Sequence, residues 1–143
     1  MNPQQLADYV GRGMLSEDAA SRGLGIQVAA MGPGNARLSM RVRPEMLNGF
    51  HICHGGFITT LADSAFAFAC NSRNALTVAA GIVVDFLAPA KLDDVLTADA
   101  AEVSLAGRTG LYDVSVRNQD GVLVATLRGR SHRLGDRSTV PLP

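Results

Sequence analysis

The chain has 143 residues, of which 47% are hydrophobic and 18% are charged, and this composition excludes a largely disordered protein. Its 13 Lys and Arg residues balance its 13 Asp and Glu residues, so the basic excess typical of nucleic-acid-binding proteins is absent. We expect one domain over residues 1–143 in a soluble cytoplasmic protein, because we find neither a signal peptide nor an apolar run long enough to span a membrane.

The first part of the chain predicts a short helix followed by a hairpin. Residues 3–9 can form the helix, and the largely apolar residues 24–31 predict a first strand. The Met-Gly-Pro-Gly-Asn turn at 31–35 leads into residues 37–42, where apolar and polar side chains alternate. A period of two is typical of a strand with one solvated face.

The middle of the chain predicts one long helix over residues 57–71. This segment contains neither Pro nor Gly, is rich in Ala, and carries apolar side chains around most of its circumference. A helix of that kind is buried on more than one side.

Four strands are predicted after the helix. Residues 77–87 are almost continuously apolar, which favours a central strand, whereas residues 95–105 and 111–117 alternate. The last strand is predicted over 122–134, and the polar, Pro-containing tail from about residue 135 is expected to be flexible. Grouping strands and helix in this way predicts an α+β fold, with a curved antiparallel sheet around the helix.

Two glycines at the predicted start of the helix are candidates for binding a carbonyl oxygen. The first amides of a helix have no intrahelical acceptor and lie at the positive end of the helix dipole. The backbone N–H groups of Gly55 and Gly56 could therefore polarise a carbonyl, although a Gly-rich helix entry needs no such role.

Asp63 is the candidate acid or base. It is the only charged residue between His54 and Arg73, and a buried carboxylate without a partner is costly. The alternatives are an exposed Asp on a solvent-facing stripe with Thr59 and Thr60, or an ion pair with an arginine from a strand.

Gly55 and Asp63 are eight residues apart, which is about 12 Å along a helix axis. They cannot both contact one reacting carbonyl from the same chain. If both are catalytic, the site is shared between two antiparallel copies of the helix. Asn48 is a further candidate to position water or substrate, and its alternative is a turn, which the Asn48-Gly49 dipeptide favours.

Residues 46–73, MLNGFHICHGGFITTLADSAFAFACNSR, resemble the helix signature of the PaaI-type phenylacetyl-CoA thioesterases. VVDFLAPA at 83–90 and RGRSHRLG at 128–135 are similar to later strands of that family. The resemblance extends over about residues 24–134. Asn-Gly, His-Gly-Gly and Leu-Ala-Asp are specific at these spacings only when taken together.

The resemblance implies a hotdog fold, in which a curved antiparallel sheet wraps around one long central helix, and a homodimer that associates into a homotetramer. It implies hydrolysis of phenylacetyl-CoA and its hydroxylated or ring-modified relatives in bacterial phenylacetate degradation, with no cofactor. Asp63 would be the general base or nucleophile, Gly55 of the other chain would polarise the carbonyl, and Asn48 would position water or substrate.

Other residues are candidates for contacts with the acyl-CoA. His54 and Gly56 lie at the helix entry, and basic side chains are expected near the CoA phosphates: Arg108 in a predicted turn, and Arg128 and Arg130 on one face of the last strand. Taken singly, each arginine is more typical of an ordinary solvated charge. Three phenylalanines are possible walls of the acyl pocket: Phe57, Phe66 and Phe86.

Four other interpretations compete with a thioesterase. A metal site at His51, Cys53 and His54 lacks the paired ligand spacing of zinc sites, so we expect no metal. A Cys-His-Asp hydrolase that uses Cys53, His54 and Asp63 is disfavoured, because the adjacent side chains of Cys53 and His54 would point apart in an extended segment. A non-catalytic acyl-CoA binding module would not need Asp63, and a hydratase or dehydratase of the same fold would use an acid/base His, for which His54 could serve.

Overall fold

The computed structural model describes all residues from Met1 to Pro143 and contains one six-stranded sheet wrapped around one long helix. A 3-10 turn at Pro44–Met46 follows the first hairpin. In chain order, the helices and strands are α1 (Pro3–Glu17), α2 (Ala19–Gly23), β1 (Gln27–Gly32), β2 (Asn35–Arg41), α3 (Gly55–Asn71), β3 (Ala75–Phe86), β4 (Val95–Ala106), β5 (Thr109–Arg117) and β6 (Leu123–Ser138).

The sheet has the strand order β1-β2-β4-β5-β6-β3, and every neighbouring pair is antiparallel. Alternation along the strands directs one face towards α3: in β5, Gly110, Tyr112, Val114 and Val116 are buried, and the residues between them are more exposed. The predicted α+β class, with a curved antiparallel sheet around one helix, is confirmed.

The helix α3 provides the centre of the hydrophobic core. It packs against β2, β4, β5, β6 and β3, and its buried apolar side chains include Leu61, Phe66 and Phe68. The helix approaches β6 closely at Gly129, where a Cβ atom would lie 2.6 Å from the Phe66 ring. Phe66 is therefore a core residue, and the prediction that it lines the acyl pocket is wrong.

Strand β3 lies at the edge of the sheet and not at its centre, contrary to the prediction from its apolar sequence. Several of its large apolar side chains are exposed, among them Ile82, Val83 and Phe86. The prediction took a continuous apolar run as the sign of a central strand. No other element of the chain covers these side chains of β3, which leaves an exposed apolar edge.

Both termini are more ordered than the sequence suggested. Helix α1 extends to Glu17. Gly11 and Gly13 weaken the sequence signal for a helix, but they allow Met31 and Val140 to pack closely against α1. Strand β6 continues to Ser138, beyond residue 135 where flexibility was predicted. The tail is then fixed by hydrogen bonds, from the Tyr9 hydroxyl to the Pro141 carbonyl at 2.8 Å and from the Val140 amide to Asn74 at 2.9 Å.

None of the helices combines the length and apolarity needed to cross a membrane.

Candidate active site

The start of α3 distinguishes the two candidate glycines. His54 is the N-cap residue of α3, and its Nδ1 accepts a hydrogen bond from the Gly56 amide at 2.9 Å. The Gly55 amide is the first of the helix and has no hydrogen-bond acceptor in the chain. Of the two amides, only that of Gly55 is therefore free to donate to a carbonyl oxygen.

Asn48 stabilises the loop before α3 through its side-chain oxygen and leaves its side-chain N–H groups free to donate. Its Oδ1 accepts hydrogen bonds from the amides of Phe50 at 2.9 Å and Ile52 at 3.3 Å, so the turn interpretation is confirmed for this oxygen. The turn places His51 in the left-handed region, with φ of 61°. The Nδ2 group of Asn48 has no partner in the chain and can donate to a ligand.

Asn48 and Gly55 border the same cleft, which has a volume of about 630 Å³. Seven of its ten lining residues are hydrophobic, so the cleft suits an apolar group beside a few polar contacts. The other lining residues are Ile52, Cys53, Ile58, Phe86, Leu87, Ala88, Pro89 and Ala90.

Asp63 is half-buried on α3 and has neither a hydrogen-bond partner nor an ion-pair partner in the chain. Thr59 and Thr60 do not pair with it, because their hydroxyls donate to the carbonyls of Gly55 and Gly56 at 2.8 and 2.9 Å. Burial raises the pKa of the Asp63 carboxyl above its usual value. A carboxyl of this kind binds a proton more tightly than an exposed one, as a general base requires.

A hydroxyl network next to Asp63 ties α3 to the short helix α2. The Ser21 hydroxyl donates to the Asp18 carboxylate at 2.6 Å, and the Ser64 hydroxyl lies 2.9 Å from that of Ser21. Because the Ser21 proton is directed to Asp18, Ser64 is the donor to Ser21. The network fixes α3 against α2 at Ser64, the residue that follows Asp63. The spacing of Asp18 and Ser21 is that of a helix cap, but no sequence signal connects this pair to Ser64.

The structure does not bring Asp63 and Gly55 together within one chain. Helix α3 is continuous from Gly55 to Asn71, so the eight intervening steps separate the two residues by about 12 Å along its axis. Asp63 is absent from the lining of the Gly55 cleft.

The arginines lie away from the cleft. Gly129 and Ser131 face the core, so Arg128 and Arg130, which alternate with them, project from the opposite face of the sheet. Arg128 makes two hydrogen bonds with Asp113, at 2.7 and 2.8 Å, and these bonds lower the pKa of the Asp113 carboxyl. Arg108 is exposed in the turn between β4 and β5.

Cys53 is unsuited to the role of nucleophile. It is buried, and burial raises the pKa of its thiol to about 11, whereas a nucleophilic cysteine needs a lowered pKa. The residues His51, Cys53 and His54 do not form a metal-binding group, and no cluster of three or more His, Cys, Asp or Glu side chains is positioned to hold an ion.

Comparison with known proteins assigns the family. The model of the thioesterase superfamily matches residues 50–125. The acyl-coenzyme A thioesterase PaaI of Escherichia coli K12 is 44% identical over 126 residues, which cover 88% of this chain and 90% of that protein. This chain belongs to the thioesterase superfamily.

Solved structures with a similar fold agree with this assignment. The structure of the E. coli PaaI protein from the phenylacetic acid degradation operon matches with a TM-score of 0.93 and 40% identity, over 95% of this chain and 99% of that chain. A Streptococcus mutans protein bound to acetyl CoA matches with a TM-score of 0.75 and 27% identity, over 78% of this chain and 90% of that chain. The resemblance to PaaI-type thioesterases and the hotdog fold are confirmed.

Proposed function

We propose that this protein hydrolyses acyl-CoA thioesters, and that its preferred substrates are phenylacetyl-CoA and its hydroxylated or ring-modified relatives in bacterial phenylacetate degradation. The observation that carries the proposal is the unpaired, half-buried Asp63 carboxyl on the helix whose first amide, that of Gly55, has no acceptor. The E. coli relative is named an acyl-CoA thioesterase, and the S. mutans relative was solved with acetyl CoA, which supports an acyl-CoA substrate.

The active site is completed by a second copy of the chain. Gly55 and Asp63 cannot contact one carbonyl within a chain, but two antiparallel copies of α3 would place Gly55 of one protomer opposite Asp63 of its partner. The exposed apolar edge strand β3 supports such a dimer, because pairing with a second copy would cover Ile82 and Val83 and satisfy the free backbone edge. Two dimers would then form a homotetramer.

In the proposed reaction, the Gly55 amide of one protomer donates to the thioester oxygen and stabilises the negative charge that develops there. Asp63 of the partner either takes a proton from water as water attacks the carbonyl carbon, or attacks that carbon itself. In both routes the carbon–sulfur bond breaks and the CoA sulfur receives a proton that water supplies. In the second route, water then hydrolyses the acyl–aspartyl anhydride, so both routes yield the free acid and CoA and regenerate the Asp63 carboxylate. The Nδ2 group of Asn48 binds the water or the substrate oxygen.

Contacts with the rest of the substrate are proposed for the helix entry and the basic side chains. His54 and Gly56 lie next to the cleft, and the exposed Arg108 and Arg130 are available to the CoA phosphates. Arg128 would have to exchange its bonds with Asp113 for a phosphate, so it is the weakest candidate of the three arginines.

The proposal predicts release of free thiol from acyl-CoA substrates, with a higher kcat/KM for phenylacetyl-CoA than for palmitoyl-CoA. The measurement is continuous thiol detection over a panel of aryl and alkyl acyl-CoAs. Tight binding of acyl-CoA without thiol release would instead identify a binding module. Hydration of an enoyl-CoA without thiol release would identify a hydratase.

A further inference from the structure

The cleft beside Gly55 has the composition of a site for an uncharged group. Its ten lining residues include no charged side chain, and Asn48 provides the only side-chain amide. A thioester whose carbonyl reaches the Gly55 amide would place its acyl group against these apolar walls. The largest side chain in the lining is that of Phe86, whereas Ala88, Pro89 and Ala90 beside it are small.

The Phe86 ring points directly at Gly55. A Cβ atom added to Gly55 would lie 2.8 Å from Cζ of Phe86 and 3.2 and 3.3 Å from its two Cε atoms. The far edge of the ring is thus directed at the start of α3, and it fills the space next to the Gly55 backbone. Glycine is required at this position for the ring to approach so closely.

We propose that Phe86 determines the acyl-group specificity of the site. Its ring closes the cleft beside the Gly55 amide, so that the cleft accepts short or flat aromatic acyl groups and rejects long linear chains. This inference rests on the proposed thioesterase function. An aromatic acyl group can pack against the ring edge in the offset or edge-to-face arrangements that aromatic pairs favour, whereas a long alkyl chain meets the ring as an obstruction.

Phe86 lies where its ring can contact the substrate, and it is not part of the hydrophobic core. Phe86 is the last residue of β3, and its side chain is 54% exposed. The phenylalanines that stabilise the core are Phe66 and Phe68, both fully buried. Phe57 is half-buried and packs edge-on against the His54 ring. Phe86 can therefore be changed with a smaller effect on stability than either core phenylalanine.

The test compares kcat/KM for phenylacetyl-CoA with kcat/KM for decanoyl-CoA in the wild type, Phe86→Ala and Phe86→Leu. We expect the ratio of the two values to fall by about 10-fold or more in Phe86→Ala, because changes in an apolar pocket typically alter discrimination by that factor or more. Phe86→Leu should give an intermediate ratio. The matched control is Phe50→Ala, which removes a phenylalanine that is 85% exposed and does not line the cleft, and should leave the ratio unchanged.

An unchanged ratio in both Phe86 variants would overturn the inference, including the case in which kcat/KM falls by the same factor for both substrates. Sedimentation of each variant shows whether it remains assembled, and Phe86→Leu, which keeps an apolar side chain on β3, decides the question if Phe86→Ala fails to fold. A wild type that releases no thiol from any acyl-CoA would refute the proposed function itself, which is a different result from a specificity ratio that does not change.

Discussion

Asp63→Asn should lower the turnover number by at least about 10²-fold, the lower end of the loss expected when a positioned acid or base is removed. The amide keeps the size and shape of the side chain but removes its charge and basicity. Substrate affinity should change little, because the carboxylate acts mainly at the reacting carbon. Single-turnover hydrolysis and equilibrium binding on one preparation measure the two effects separately.

The same substitution should leave the melting temperature unchanged or raise it at neutral pH. Burial raises the pKa of Asp63 in the folded state above its unfolded value, so the folded protein binds this proton more tightly. Stability is therefore lost as pH rises through the two pKa values, and above both of them the buried charge remains a cost. The difference between variant and wild type should vanish as pH falls below about 4, near the ordinary pKa of an aspartic acid.

Two outcomes would contradict the catalytic role of Asp63. A stable, assembled Asp63→Asn protein with near wild-type turnover would favour the binding-module interpretation. A lowered melting temperature with activity per folded molecule retained would identify Asp63 as an ion-pair partner of a cation from another protomer, which the substitution leaves unpaired.

Gly55→Pro should lower the turnover number by about 10²-fold or more, which is the loss typical of removing one oxyanion donor. Proline lacks the N–H that we assign to the thioester oxygen. It suits the first position of a helix, and His54 before it already has the extended backbone, with ψ of 133°, that a residue preceding proline adopts. The fold should therefore tolerate the change.

Gly55→Ala is the matched control for that experiment. Both variants add a Cβ atom that meets the Phe86 ring, but only proline removes the donor. The contribution of the N–H is the ratio of the two turnover numbers. Equal turnover in Gly55→Pro and Gly55→Ala, with both proteins folded, would mean that this amide does not polarise the carbonyl.

The sequence was sufficient to predict the central helix and the α+β sheet. The apolar run at 57–71 has no breaker, and the structure extends it by only two residues, to Gly55. The alternation over residues 111–117 predicted a strand, and β5 has the alternating burial that a period of two implies. Both signals are local, so they depend little on the rest of the fold.

The errors arose where contacts between distant segments decide the structure. The apolar sequence of β3 indicated burial but not which chain provides it, so an edge strand was mistaken for a central one. Helix α1 was predicted only over residues 3–9, and the sequence does not reveal the close contacts of Met31 and Val140 with Gly11 and Gly13 farther along the helix.

The candidate site shows the same contrast between features that local sequence signals predict and features that depend on contacts in the folded chain. Asp63, Gly55 and Asn48 were identified from the sequence, and their catalytic roles remain proposals. The distinction between the Gly55 and Gly56 amides depends on the position of the His54 ring, which no pattern predicts. The choice of Phe86 over Phe66 as a cleft wall depends on how α3 packs against β6.

The central claim is that each active site combines Gly55 of one protomer with Asp63 of its partner. It is tested most directly by mixing the Asp63→Asn and Gly55→Pro proteins, each of low activity alone, under conditions in which subunits exchange. A mixed dimer has one site with both residues intact, and random exchange makes half of the dimers mixed. The account predicts recovery to about one quarter of wild-type activity for a twofold-symmetric dimer. If mixed dimers form and no activity returns, the site lies within one chain and the shared-site model is wrong.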